Sequence, residues 1–173
     1  MKDMFMASMT RSFLMMALAA LAACTLPASG DSKTEGCVAG ADQGQSPAGM
    51  KQVALCVTSK AKTHIFTVEI AATGAQQSKG MMFRTSMADE TGMIFPFARP
   101  RRASFWMKNT VIPLDIIFVR QNGTIESIAE NTVPYSTAPV ESGEAVGAVL
   151  ELRGGLTSEL GIAAGDKVAW QAN

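Results

Sequence analysis

The sequence predicts a mainly β (α+β) domain, a small, partly closed antiparallel β-barrel with two short helices. Several short segments alternate apolar and polar residues at a period of two, and Gly, Pro and Asn turn signals separate them. Only two brief stretches carry helical signals. Many short strands joined by frequent turns are typical of all-β sandwiches and barrels.

The predicted strands share this alternation or a continuous apolar run between turn residues. They lie at residues 53–57, 65–70, 93–95, 103–107, 114–120, 124–129, 145–152 and 167–170. We expect Pro96 and Pro100 to interrupt the strand that starts at Met93, because proline cannot donate to a strand ladder. Asn122-Gly123 tolerates the positive φ angles of a type I′ turn and predicts a hairpin.

The two predicted helices are short. Thr73 precedes Gln76 at capping-box spacing and Gly80 can end a helix in a left-handed conformation, so a helix is predicted at about residues 74–79. A second helical turn is predicted at residues 156–160, after the loop at 135–144.

Asp115 lies in a run that is otherwise apolar on both faces, which predicts a central strand. An unpaired carboxylate in such a strand is costly, so Asp115 needs a partner. Lys108 and Arg84 are the expected cations, and Glu69 and Glu151 on neighbouring strands compete for them. One interpretation is therefore a structural polar network that fixes strand register and serves a protein-interaction role.

The alternative interpretation is a polar pocket around residues 105–115, the densest group of polar side chains in the chain. Trp106 would supply a flat wall, Lys108 and Arg84 would bind an anionic or hydroxylated (glycan-like) ligand, and Asn109 would orient it. The candidate ligand-binding residues are Arg84, Trp106, Lys108, Asn109, Asp115, Glu151 and Glu69.

Two further hypotheses remain open. Asp115 and Glu151 are candidates for the acid and base of a glycan-acting hydrolase, although the sequence has no visible order of nucleophile, base and oxyanion donor. A soft copper site is the other hypothesis, and its ligands would be Met81, Met82, Met93, Met107 and His64. We favour a binding or accessory module over an enzyme, with no cofactor.

Composition limits the class of partner. Formal charge is zero over 173 residues, and without residues 1–23 the chain has 13 cationic and 14 anionic residues. This near-neutral balance gives no electrostatic reason to expect a nucleic acid partner.

The N-terminus predicts export. Lys2 and Arg11 precede the apolar run at 13–20, which is too short to span a bilayer, and residues 21–24 read Leu-Ala-Ala-Cys. This order resembles a bacterial lipobox, in which cleavage leaves Cys24 as the lipid-modified N-terminus. We therefore expect a membrane-anchored lipoprotein facing the periplasm or cell exterior.

The chain is predicted to comprise a signal peptide at 1–23, a flexible tether at 24–50 and a single domain at 51–173. Low hydrophobicity with many Gly, Ser and Pro residues predicts the tether. The two other cysteines, Cys37 and Cys56, are even in number, and in an exported protein they favour a disulfide.

Residues 64–170 resemble the bacterial and archaeal domain-of-unknown-function family 192. The matching stretches are 66–71, 79–84, 92–95, 105–110, 112–118 and 149–152 with Gly154 and Gly155. Met81 stands where the family usually has Leu, a volume-conserving change. The resemblance implies a compact, mainly β fold, often behind a signal sequence, and a shared polar cluster of unknown use.

Overall fold

The computed structural model describes residues 36–60 and 62–171. Its elements in chain order are β1 (Asp42–Gln45), β2 (Lys51–Ser59), β3 (Lys62–Ile70), α1 (Gly74–Lys79), β4 (Thr91–Arg101), β5 (Ser104–Phe105), β6 (Leu114–Val119), β7 (Ile125–Ala129), β8 (Val140–Glu141), β9 (Val146–Arg153), α2 (Leu156–Leu160) and β10 (Lys167–Ala169). The fold is thus mainly β with two short helices, as predicted. No described helix is long and apolar enough to cross a membrane.

An eight-stranded sheet forms the body of the domain, in the order β1-β2-β3-β4-β9-β6-β7 with β10 paired to β2. The predicted antiparallel barrel is corrected in two respects. β3 and β4 pair in parallel, so the sheet is mixed. It is also not closed into a barrel, because β7 and β10 do not pair as strands within the described residues and are joined there by an isolated bridge between Thr124 and Lys167 and a hydrogen bond from Gly165 to Ile125.

The parallel pair has a simple cause. Parallel strands need a long crossover connection, and the segment at residues 71–90, which contains α1, supplies it. The capping box forms as predicted, and the backbone amide of Gln76 donates a hydrogen bond to the Thr73 hydroxyl oxygen at 3.2 Å. Gly80 ends α1 with φ +46°, in the region that favours glycine.

β4 corrects the prediction that proline interrupts its strand. The strand runs through Pro96 and Pro100 to Arg101, and its register with β9 shifts between Pro96 and Arg101. Proline is tolerated at such an irregularity because the ladder there has no regular hydrogen bond to lose.

The first strand, β1, lies inside the predicted tether. The backbone of this segment is tied to β2 by hydrogen bonds from Gly40 to Ala54 and from Ala54 to Ala41. The predicted disulfide between Cys37 and Cys56 is confirmed, with the two Cα atoms 5.9 Å apart. The folded part of the chain therefore begins before Lys51. Cys24 and the predicted signal peptide lie outside the described residues.

The sheet carries one apolar core on each face. The α2 face contains Leu55, Phe66, Ile94, Ile117, Leu150 and Leu156 of α2. The α1 face contains Met81, Met93, Phe95, Met107, Ile116 and Phe118. Side chains alternate between these faces along each strand, so a residue's position in its strand decides which core it joins.

Candidate functional site

Two carboxyl groups project into the α1 face, where the remaining core residues are apolar. Glu69 on β3 is aligned with Met93 on β4, and Met93 is aligned with Glu151 on β9. Residues aligned across a sheet point to the same side, so both acids lie on the side of Met93. Glu69 is 4% exposed and Glu151 is 5% exposed. The fold therefore buries two acids on the same face of the sheet, with one strand, β4, between them.

Arg84 supplies the cation for this pair. Its guanidinium group forms a salt bridge with the carboxylate of Glu69. Arg84 follows Phe83, which has a left-handed backbone with φ +65° and whose amide donates to the Asn109 carbonyl at 2.9 Å. This turn, together with the end of α1, directs the Arg84 side chain onto the sheet. The Glu69 side chain is buried and the Arg84 side chain is 31% exposed, so loss of Arg84 would leave Glu69 as an unpaired buried charge.

Glu151 is left without such a partner. Its Oε2 atom is buried and has no hydrogen-bond partner in the described part of the chain. Burial raises the pKa of the Glu151 carboxyl from its usual value near 4.5 to about 8, and the Arg84 guanidinium offsets part of this shift. Glu151 is therefore mainly protonated at neutral pH, and its neutral carboxyl group can both donate and accept a hydrogen bond.

A pocket of about 410 Å³, here called the α1 pocket, opens beside Glu151. Gln77 and Lys79 of α1 line one side, and Phe105 and Trp106 line another. Gln77 also holds α1 against the sheet, because its side-chain amide donates to the Ala71 carbonyl at 3.1 Å and to the Pro96 carbonyl at 3.0 Å. The short helix α1, which Gln77 hydrogen-bonds to the sheet, thus forms one wall of the pocket.

The aromatic wall is partly rigid and partly exposed. Phe105 packs edge-on against Phe95, with ring centroids 5.1 Å apart, and against Phe118 at 6.5 Å. Trp106 is 51% exposed, and the Lys108 ammonium lies 5.3 Å from its ring centroid. The wall therefore offers an accessible apolar surface next to a positive charge.

Arg101 adds a second cation to the α1 pocket. It lies at the end of β4, and its guanidinium carbon is 3.8 Å from the Phe97 ring centroid. At this distance the guanidinium group makes a cation–π contact with the ring. The pocket thus combines a neutral buried acid, an aromatic wall and the cations of Lys79 and Arg101, a set suited to a hydroxylated or anionic molecule.

Asp115 has a different role from the predicted one. Its carboxylate is fully buried and accepts hydrogen bonds from the backbone amides of Asn131 at 2.7 Å, Gly155 at 2.8 Å and Thr157 at 2.8 Å, and from the Thr157 hydroxyl at 2.6 Å. The expected cation partner is wrong, since neither Lys108 nor Arg84 pairs with Asp115. The amides at the start of α2 satisfy the charge instead.

Asp115 and Glu151 cannot act on one bond. Asp115 is aligned with Leu152, and Glu151 is aligned with Ile116. The two carboxyl groups therefore project to opposite faces of the sheet, which corrects the hypothesis that they form the acid and base of a hydrolase. The sequence allows this hypothesis because it does not show which residues of two paired strands face the same core.

The proposed copper ligands are divided in the same way. His64 is aligned with Val57 and belongs to the α2 face, whereas Met81, Met93 and Met107 pack in the core of the α1 face. Burial lowers the pKa of His64. No group of three or more His, Cys, Asp or Glu residues suited to a metal ion occurs among the described residues. A site that joins His64 to these methionines does not form.

The predicted site residues thus separate into groups. Trp106 and Glu151 line the α1 pocket, Arg84 pairs with Glu69 beside it, and Asp115 lies on the other face. Lys108 is exposed above Trp106, and the Asn109 amide group lies 3.9 Å from the Met82 sulfur atom. Sequence reasoning missed Gln77, Lys79, Arg101 and Thr110, because polar residues on a short helix and in loops carry no pattern that assigns them to a pocket.

Asp115→Asn is expected to destabilise the domain by about 3 kcal/mol, because the amide group cannot accept all the hydrogen bonds that the carboxylate accepts. Lys108→Met is expected to change stability by less than about 0.5 kcal/mol, since its side chain is exposed. Denaturant midpoints of the two single variants and the double variant measure both effects. A coupling energy of a few kcal/mol between the two sites would show that Lys108 does neutralise Asp115 and would contradict this assignment.

Comparisons with known proteins agree with this fold. The matching family model is DUF192, described as Uncharacterized ACR, and it covers residues 55–170. A crystal structure of a protein of unknown function from Novosphingobium aromaticivorans DSM 12444 is similar, with 47% identity and a TM-score of 0.73 over 77% of this chain and 95% of that one.

A second similar structure is that of a protein from Sinorhizobium meliloti 1021 described as a candidate transcription regulator. It has 40% identity and a TM-score of 0.67 over 69% of this chain and 93% of that one. A comparison with curated proteins finds no match. Because the family model and both solved structures cover most of the described domain, the chain belongs to the DUF192 family.

Proposed function

We propose that the domain is a binding module that holds a hydroxylated, glycan-like ligand in the α1 pocket. The observation that carries the proposal is Glu151, whose buried Oε2 atom has no hydrogen-bond partner among the described residues. Leaving a buried polar atom unpaired costs about 1–3 kcal/mol. His64 Nε2 and Trp170 Nε1 are also buried without a partner among the described residues, but of the three residues only Glu151 lines the α1 pocket. A ligand hydroxyl group that pairs with Glu151 would remove this cost.

The walls of the pocket support the same class of ligand. A sugar ring presents apolar C–H groups on its faces and hydroxyl groups at its edge. The exposed indole of Trp106 would pack against the face of the sugar ring. Glu151 and the Thr110 side chain would form hydrogen bonds with its hydroxyl groups. A volume of about 410 Å³ falls within the usual range of small-molecule sites.

Binding accounts for this pocket better than hydrolysis does. Hydrolysis of a glycosidic bond needs two carboxyl groups beside that bond, and Glu151 is the only acid among the described residues that line the α1 pocket. The second candidate, a purely structural polar network, is favoured by the hydrogen bonds of Asp115, but it leaves Glu151 unexplained.

We also propose that this module is displayed on a membrane through lipid on Cys24. The signal-like N-terminus and the Leu-Ala-Ala-Cys order support this proposal. The disulfide between Cys37 and Cys56 suits an exported protein, because disulfides persist in oxidising compartments. A lipid-anchored module with a glycan pocket would hold the membrane near a polysaccharide layer.

A neutral side chain at position 151 that both donates and accepts a hydrogen bond should be required for binding. Malto-, chito- and galacturono-trisaccharides would be titrated into a Trp170→Phe background, in which Trp106 is the only remaining indole and reports binding by fluorescence. We expect Glu151→Gln to retain binding because the amide also donates and accepts, and Glu151→Leu to lose about tenfold or more in affinity. Parent binding should fall as the pH rises through about 8, while Glu151→Gln binding should not.

Lys108→Met serves as the matched control, because Lys108 contacts the same indole from outside the pocket. If none of the trisaccharides changes Trp106 fluorescence, or if Glu151→Leu binds as well as the parent, the proposed function is wrong.

Membrane attachment has its own test. Cys24→Ser is expected to abolish lipid labelling and to release the protein from the membrane fraction, because one residue would carry the acyl chains. Fractionation with a labelled fatty acid measures both effects, and Cys37→Ser with Cys56→Ser is the control for loss of a cysteine elsewhere. Membrane retention of an unlabelled parent protein would contradict the proposal.

A further inference from the structure

We infer that the ligand is an acidic oligosaccharide that extends from the α1 pocket, around the C-terminal end of α1, into a second pocket beside Phe83. This inference rests on the proposed function and specifies its ligand. Three features of the structure support it: the adjacency of the two pockets, the exposed aromatic ring at each, and the sign of the charges that line them.

The second pocket, here called the Phe83 pocket, has a volume of about 470 Å³. It shares Lys79, Gly80 and Met82 with the α1 pocket, so the two cavities meet at the C-terminal end of α1. The helix itself separates them: Gln77 faces the α1 pocket, whereas Gln76 faces the Phe83 pocket. A ligand that occupies both pockets must pass around the C-terminal end of α1, so we infer a chain of several sugars.

Each pocket has an exposed aromatic ring. Phe83 is 68% exposed and has a left-handed backbone with φ +65°, a conformation that costs a residue with a side chain about 1–2 kcal/mol. The Phe83 amide donates to the carbonyl of Asn109, which is itself left-handed with φ +56°. Asn109 lies in the loop that carries Trp106, so this hydrogen bond joins the backbone segments that carry the two rings. Strain that exposes an apolar ring points to binding.

The charges favour an anionic chain. Lys79 lines both pockets and Arg101 lines the α1 pocket. Arg84 lines the Phe83 pocket, but its charge is paired with the Glu69 carboxylate, so Lys79 and Arg101 are the cations that favour an anionic chain. No acidic residue is among the described residues that line the Phe83 pocket, and the acid in the α1 pocket is Glu151, which is buried and neutral at neutral pH. Sugars that carry carboxylate groups therefore complement the path, and uncharged sugars of equal length do so less well.

The test uses the mature chain with Trp170→Phe and a series of galacturonates from the monomer to the hexamer, with neutral malto-oligosaccharides of equal length as the comparison. We expect affinity for the galacturonates to rise about tenfold or more between the monomer and the trimer and then to level off, because a longer chain gains the second ring. Phe83→Ala should remove this gain and leave monomer binding unchanged. Lys79→Gln should reduce the preference for the acidic series and its salt dependence.

Tyr135→Ala is the matched control. Tyr135 is also exposed and left-handed, with φ +61°, but it lines neither pocket, so its removal should leave the length dependence intact. Affinity that is independent of galacturonate length, or a length gain that survives Phe83→Ala, would overturn this inference and leave the proposed function standing. Equal affinity for an acidic peptide such as oligoglutamate would also overturn it, since charge alone would then explain binding. Failure of both sugar series would refute the proposed function as well.

Discussion

One guanidinium group faces two buried acids, and the chemistry of the α1 face follows from this imbalance. Arg84 pairs with Glu69. Glu151 lies on the same face of the sheet without such a partner, and burial raises the pKa of its carboxyl group. A carboxyl group in that position stays protonated, because the free energy of an unpaired buried charge exceeds that of holding a proton. The pocket beside it therefore presents a neutral hydrogen-bond donor in place of a repelling anion.

The raised pKa also has a consequence for stability. Because the folded state holds the Glu151 proton more tightly than the unfolded state does, its contribution to stability is fully present below about pH 4.5 and is lost as the pH rises through about 8. A residue placed only for stability would be better paired or apolar. The lower stability that Glu151 causes at neutral pH is consistent with a residue that is retained because it binds a ligand.

Asp115 is also a buried acid, but it lies on the α2 face and hydrogen bonds satisfy its charge. A helix of five residues is too short to be stable alone, and the Asp115 carboxylate holds the amides of Gly155 and Thr157 at its start. Gly155 has φ +81°, a conformation that a residue with a side chain adopts only with strain. The helix in turn covers the core with Leu156. One face of the sheet thus carries a satisfied acid that stabilises the fold, and the other carries an unsatisfied one.

The elements of the fold could be predicted because their signals are local. The capping box at Thr73, the Asn122-Gly123 turn and the apolar strand around Asp115 depend on neighbours in sequence, and each element formed. Strand direction and facing could not be predicted, because they depend on a crossover and on register. For this reason the sequence predicts a cation partner for Asp115 and allows it to be grouped with Glu151, whereas an offset of one residue in the strand register places the two acids on opposite faces.

The most direct test of the account is the titration of the Glu151 side-chain carboxyl group, followed by carbon-detected NMR in the parent protein and in Glu69→Gln. The account predicts a midpoint near pH 8 in the parent. It predicts a clear fall in Glu69→Gln, because Arg84 would lose its present partner and become available to the second acid. A parent midpoint near 4.5, or a midpoint that does not respond to the loss of Glu69, would contradict the claim that one cation shared between two acids creates the site.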